Sequence, residues 1–295
     1  DEILFSAFSK GGQSLVATED LVSAALATDV ISVSGIADMT MTDLQKALTG
    51  KNISLSPSIN ANTESIEGGT TVKDLETLLQ LNYLYFTAPR RDENAYAMLM
   101  SVLESQLANR DKNPKVAFSD SVSMMANNYS PRTVIFNQEA LTHADLDKSL
   151  EIYKARFANP ADFIFTFVGN VNPDDEAFQQ LVCTWLGSLK TSKKKEAVRD
   201  NGDRVPEGIN KNYFSRRMET KTASNRIQYT SYDIPYTLAN ELNMEMIGRI
   251  LSTRYLESIR EREGGSYGVG CAGGLQVYPV AKAYLLMQFD TDPDK

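Results

Sequence analysis

The sequence has one histidine and two cysteines among its 295 residues. A single histidine excludes any metal site built on paired histidines, whether H-x-x-E-H or its inverse. Cys183 and Cys271 lie far apart, form no C-x-x-C motif and imply no disulfide framework; they read as two small buried residues. Long apolar runs are also missing, since none approaches the roughly 20 residues that span a bilayer. Positive charge is short: 30 Lys and Arg against 38 Asp and Glu give a net charge of −8. That balance argues against nucleic acid or an anionic membrane as the main partner and tolerates neutral or basic peptides. The first residues, DEILFSAFSKGGQ, lack the basic start and cleavage site of a signal peptide and read as a strand entered in mid-fold. The last, FDTDPDK, stop directly after a strand. Both ends are expected to be those of a segment cut from a longer protein.

A hydrophobic fraction of 42% and a charged fraction of 23% suit a globular chain of about two domains of roughly 100–200 residues each. Residues 2–8 alternate as a strand and close on Gly11-Gly12. Thr18 is an expected N-cap for a helix carrying Leu21, Val22, Ala25, Leu26 and Val30. Thr40 or Thr42 caps a short helix ending at Gly50. The Ser- and Asn-rich residues 51–69 predict two or three short strands with tight turns. Helices are expected from Thr71 to Phe86, over 92–110 and 114–127, from Thr142 to Phe157, and from Pro173 to Leu189. Between the last two, Phe163–Val168 is a short apolar run and reads as a buried strand.

Residues 190–212 are charged, rich in turn residues and poor in apolar ones, the pattern of a linker. Lys193, Lys194 and Lys195 belong to its solvated surface. Two domains are therefore expected, residues 1–190 and 212–295, joined by 191–211. The second opens with strands near 212–217 and 225–233. A long helix follows from Pro235 or Thr237, its apolar face traced by Leu238, Leu242, Ile247, Leu251, Tyr255 and Ile259 and widened by Met246 and Ile250. Gly264-Gly265 ends it. Tyr267, Val269 and Cys271 alternate into a strand, and Val277 to Phe289 is a second that pairs back through Gly273-Gly274 or Tyr278-Pro279. Strands and helices without regular βα alternation predict an α+β fold.

Two motifs overlap here and both fail on context. Gly264-Gly265-Ser266-Tyr267-Gly268 fits G-x-S-x-G, but a nucleophile elbow needs strand before serine and helix after it. The triad histidine would also have to follow, and His143 lies upstream. Gly268-Val269-Gly270-Cys271-Ala272-Gly273 fits G-x-G-x-x-G, which must open a helix to hold a pyrophosphate; a strand is expected instead. His143 beside Asp145 and Asp147 reads as an exposed residue at a helix start. DTDPD at 290–294 lacks the spacing and glycine of a calcium loop. No metal is expected on these residues. Asn52-Ile53-Ser54 and Asn128-Tyr129-Ser130 match glycosylation acceptors, a short pattern that chance also produces.

Three stretches, LYFTAPRRDENAY at 84–96, FTFVGNVNPDDEAFQQLVCTWLGSL at 165–189 and above all RYLESIREREGGSYGVG at 254–270, resemble the zinc metallopeptidases of the insulinase/pitrilysin family, which includes mitochondrial processing peptidase. The likeness spans essentially the whole chain and is greatest to the long two-halved bacterial members. It implies metallopeptidase-like α+β domains, each a mainly antiparallel sheet packed by helices. Lacking the zinc motif, this chain is similar to the C-terminal, non-zinc half: one complete domain and the start of a second, related and truncated.

The resemblance implies that Arg260 and Tyr267 serve catalysis and substrate binding when the two halves close on a peptide, with Gly265 allowing close backbone approach. It places zinc and the general-base glutamate in the N-terminal half, implies a periplasmic or secreted setting, and leaves this segment inactive alone. Local chemistry offers plainer roles: Arg260 complements a helix C-terminus or pairs with Glu257, Glu261 or Glu263, Tyr267 packs in a strand, and Arg262 is solvated. Two other classes stay open, a catalytically inactive partner or scaffold subunit and a free-standing peptide-binding module.

Overall fold

Alternation in EILFSAFSK sets the first strand: Ile3, Phe5, Ala7 and Ser9 are buried while Glu2, Leu4, Phe8 and Lys10 face out. The computed structural model describes residues 2–219, 221–266 and 268–292. In chain order its main elements are β1 (Glu2–Lys10), α1 (Leu21–Ser34), α2 (Met41–Ala47), β2 (Ile53–Ile59), β3 (Thr63–Thr71), α3 (Leu75–Thr87), α4 (Glu93–Leu107), α5 (Pro114–Ala126), α6 (Gln138–Leu141), α7 (Leu146–Arg156), β4 (Ile164–Gly169), α8 (Glu176–Trp185), β5 (Ala223–Ser231), α9 (Leu238–Tyr255), β6 (Val269–Gln276) and β7 (Lys282–Thr291). The fold is α+β, with antiparallel sheets and helices packed on them. Side-chain caps start the helices where backbone N–H groups lack partners. Thr40 accepts from the Asp43 N–H at 3.2 Å, Asp92 from Ala95 at 3.0 Å, Asp145 from Lys148 at 2.7 Å and Thr237 from Asn240 at 3.1 Å.

The chain divides into two compact units, residues 1–113 with 130–201, and 114–129 with 202–295. In the first, the sheet order is β2-β3-β1-β4. Its core gathers Ile3, Phe5 and Ala7 of β1, Ile66 of β3, Leu78 and Leu79 of α3, and Tyr153 and Phe157 at α7. Helix α1 is buried on more than one side because α7 and α4 lie along it.

Residues 192–201, inside the segment expected as linker, are fastened to this unit. Arg156 pairs with Glu196 at 2.8 Å, and the Arg199 N–H donates to Ser14 Oγ at 3.0 Å. Behind that pair Glu64 is buried, accepting from the Gly12 N–H at 2.6 Å. Burial raises its carboxyl above the ordinary 4.5, opposed by the Gly12 hydrogen bond and by Arg156. The folded state thus holds this proton to higher pH than the unfolded chain. Stability should therefore fall as pH rises from about 4.5 through the folded carboxyl's titration. Glu64→Gln is expected to flatten that slope in urea midpoints measured against pH; an unaltered slope would refute the assignment.

The second unit has the sheet order β5-β7-β6. Strand, helix and antiparallel hairpin, with the hairpin's second strand beside the first strand, repeat the β1-α1-β2-β3 arrangement of the first unit. Helix α9 lies on β6 through a reciprocal glycine contact: a Cβ on Gly248 would strike the backbone of Ala272 and Gly273, and one on Gly273 the carbonyl of Met244. The apolar face read from the sequence stays largely open. Leu238, Leu242, Met246, Ile247 and Ile250 are exposed, as are Ile227 and Tyr229 of β5.

Several expected elements shift; Thr18, expected as the cap of α1, lies in a 3-10 turn ahead of it, and Asp20 holds the N-cap position. Residues 212–217 form no strand, because this stretch follows α5 instead of a β partner: Phe214 packs on Phe118 at 6.0 Å and the Asn212 amide donates to Ser121 at 2.8 Å. Thr142 ends α6 and does not start α7, whose cap is Asp145. Pro173 precedes α8, which Asp175 caps. Of the two turns expected for the final hairpin the chain takes Tyr278-Pro279, within 277–281, and Gly273-Gly274 lie inside β6.

Candidate functional site

The signature stretch begins where α9 loosens. From Leu256 to Arg262 the helix widens to π geometry, with the Glu263 N–H donating to Ser258 O at 3.1 Å. Such widened turns recur at functional sites. Gly264, at φ 58°, then reverses the chain in the left-handed region that glycine enters without penalty. The Gly265 N–H donates to Ile259 O at 2.9 Å. The G-x-S-x-G residues thus leave a helix and enter a strand, the reverse of a nucleophile elbow.

Arg260 projects from the widened turn and is exposed. Among the described residues no side-chain hydrogen bond or ion pair engages it, and the carboxylates of Glu257, Glu261 and Glu263 form none either, so the expected local ion pairs are not made. Arg262 is likewise exposed. Gly265 is half-buried, its N–H committed to the helix end. Tyr267 lies outside the described residues. On either side of it the Ser266 hydroxyl donates to Gly268 O at 2.8 Å and accepts the Gly268 N–H at 3.2 Å.

Next to this turn an open groove of about 710 Å³ is lined by Ser266, consecutive residues 268–272 of the turn and β6, and Leu286, Gln288, Phe289 and Asp290 of β7. Cross-strand pairing sets its floor, Gly270 opposite Gln288 and Ala272 opposite Leu286. Asp290 pairs with Lys115 of α5 at 3.4 Å. Burial raises the Cys271 thiol, which keeps it protonated near neutral pH and poorly nucleophilic. Sequence reasoning missed the β7 contribution. A strand is expected over Val277 to Phe289, but only the register brings 286, 288 and 290 beside β6.

The donor set decides whether a metal fits. Among the described residues no three of His, Cys, Asp and Glu converge. His143 is exposed between α6 and α7, its backbone N–H donating to Ala140 O at 3.0 Å. These residues do not fit a zinc ion.

A family described as the peptidase M16 inactive domain matches residues 144–295. An Arabidopsis thaliana protein described as "Zinc protease PQQL-like" is 22% identical over 280 residues, covering 90% of this chain and 26% of its own length. Among solved structures, the periplasmic protease PqqL from Escherichia coli superposes with a TM-score of 0.82 at 20% identity, over 99% of this chain and 32% of that one. The ferredoxin protease FusC, solved as a point mutant in complex with Arabidopsis ferredoxin, gives 0.80 at 16% identity, over 99% and 31%. A peptidase M16 inactive domain from Pseudomonas fluorescens gives 0.71 at 13% identity, over 99% and 69%. The structural likenesses establish the fold. The chain spans about a quarter of the curated relative's length.

Proposed function

The chain belongs to the peptidase M16 family, carrying that family's inactive domain, and from that premise we propose that it is the substrate-binding, non-zinc half of a two-halved zinc metalloendopeptidase. The observation that carries this reading is Arg260: an exposed guanidinium without a partner among the described residues, on a widened helix end that leads into an open groove. Zinc and the general-base glutamate would belong to the N-terminal half, in the same chain or a partner subunit. Arg260 would hold the substrate carbonyl or the oxyanion that develops on it, a task suited to a fixed cation with free donors. Tyr267 would add a hydroxyl donor, and Gly265 close backbone approach.

The repeated β-α-β-β order supports a second domain of the same kind. Its open α9 face and the bare apolar residues of β5 are those that α7, α4 and β4 cover in the first unit. No described helix is long and apolar enough to cross a membrane, and the relative described as periplasmic favours a periplasmic setting.

The isolated chain should bind no stoichiometric zinc by elemental analysis and cleave no fluorogenic peptide. Joined to the zinc-bearing half, it should restore turnover. Stoichiometric zinc in the isolated chain would overturn the assignment of halves. A joined protein without activity would favour the inactive-partner reading.

A further inference from the structure

Helix α5 interrupts the first unit along the chain and packs as part of the second. Strand register shows which face of the second sheet it meets. A Cβ on Gly273 points into α9, where it would strike the Met244 carbonyl. Gly273 pairs with Leu285, and Leu285 with Tyr229, so these positions share the α9 face. Arg226 pairs with Gln288, and Gln288 with Gly270. This second row faces the other way, because side chains alternate along a strand.

On that far face α5 closes a cavity of about 210 Å³. Its sheet side is Ser224, Arg226, Gln288 and Asp290, with Asn225 between. Its helix side is Lys115, Phe118, Ser119 and Val122, the i, i+3, i+4 and i+7 positions of one helix face. The volume is below the roughly 300–1,000 Å³ of small-molecule sites and suits one side chain. The lining carries two cations and one carboxylate. Asp290 pairs with Lys115 at 3.4 Å. Arg226 is exposed, and among the described residues no side-chain hydrogen bond or ion pair engages it. Phe118 and Val122 add apolar surface for the methylenes of an incoming chain. Gln288 and Asp290 also line the groove beside the signature turn. A peptide lying in the groove therefore passes the cavity without having to end there, so the group that enters is a side chain.

We propose that this cavity is a specificity subsite: it takes an aspartate or glutamate side chain of a peptide held in the groove, with Arg226 as its ion-pairing residue. The proposal rests on the substrate-binding reading and adds a preference to it. A guanidinium presents forked donors that match a carboxylate. Glutamine, of the same shape, offers one neutral carbonyl and an amide N–H2 that a cation does not attract. The chain's net charge of −8 does not oppose this, because exposed charges more than about 8 Å apart are largely screened at physiological salt. The cavity's own cation decides.

The test compares three capped ten-residue peptides that differ at one point: a central glutamate, a glutamine in its place, and the glutamine form with a free C-terminal carboxylate. In calorimetric titration of the chain, the glutamate form should bind about three- to tenfold tighter than the glutamine form, the gain of a forked pair at a partly exposed site. Arg226→Gln should erase that preference, and Arg226→Lys should keep part of it. Both variants should match the parent's urea midpoint, since no described partner is lost. Val122→Trp, which fills the cavity, should erase the preference with Arg226 still in place. No measurable binding of the glutamate form, equal affinity for glutamate and glutamine, or a preference that survives Arg226→Gln would overturn the proposal. So would a preference for the free C-terminus with none for glutamate, which assigns the cavity to chain ends. In the joined protein, Arg226→Gln should raise KM for the glutamate peptide more than it lowers kcat. If glutamate is preferred and Arg260→Ala leaves turnover intact, the subsite stands and the Arg260 role falls. If Arg260→Ala abolishes turnover and no preference is found, the reverse holds.

Discussion

Arg260→Ala, made in a protein that carries both halves, should lower kcat for peptide hydrolysis by about 10²–10³-fold, the loss typical of one oxyanion donor. The size of the effect follows from what Arg260 does not do. It is exposed, and no described residue pairs with its side chain, so no structural bond is lost on truncation. The unfolding midpoint of the variant should match the parent's. A fall in turnover with unchanged stability isolates a role toward substrate from a role as a helix-end charge. Arg260→Lys should recover part of the rate, since it restores the charge but not the planar, forked donors. Tyr267→Phe, which removes one hydroxyl and little volume, should cost a similar factor. Unchanged turnover in both Arg260→Ala and Tyr267→Phe would remove the proposed roles. A loss confined to KM would make these residues binders of the ground state.

The second large effect is on stability. Gly248→Ala should destabilise the second unit by about 2–3 kcal/mol, the upper range for forcing volume into a packed contact. The reason lies in which atoms would be struck. A Cβ there meets the backbone of Ala272 and Gly273, and backbone in a sheet cannot rotate aside as a flexible side chain does. The contact is reciprocal, so Gly273→Ala should cost about as much. Gly270→Ala is the control, because its Cβ enters open space. Trp185, the single tryptophan, lies in the first unit and reports its unfolding separately. Gly248→Ala should lower the urea midpoint seen by circular dichroism more than that seen by tryptophan fluorescence. Coincident, unshifted transitions would show that α9 can lift off β6 at little cost.

The resemblance that began with RYLESIREREGGSYGVG is confirmed at the level of family, and the α+β fold with it. The order of helix, glycines and strand around residue 264 was legible because glycine and capping chemistry act locally. The roles of Arg260, Tyr267 and Gly265 remain the proposal made above. The groove was less legible, since much of its lining comes from β7 and depends on register.

By itself the sequence determined what short-range chemistry controls. Thr40 and Thr237 cap helices because a side-chain oxygen reaches an N–H three residues on. Alternation in residues 2–10 makes a strand with one buried face. A single histidine limits the metal chemistry before any fold is known. Tertiary structure decided everything that needs a partner from far along the chain. It set 212–217 against α5 and not in a sheet, and fastened 192–201 to the first unit. It also left the apolar face of α9 open and gave β6 a free edge. A hydrophobic pattern says that a face seeks cover and a strand seeks a neighbour. Which atoms arrive there is settled only when distant segments meet.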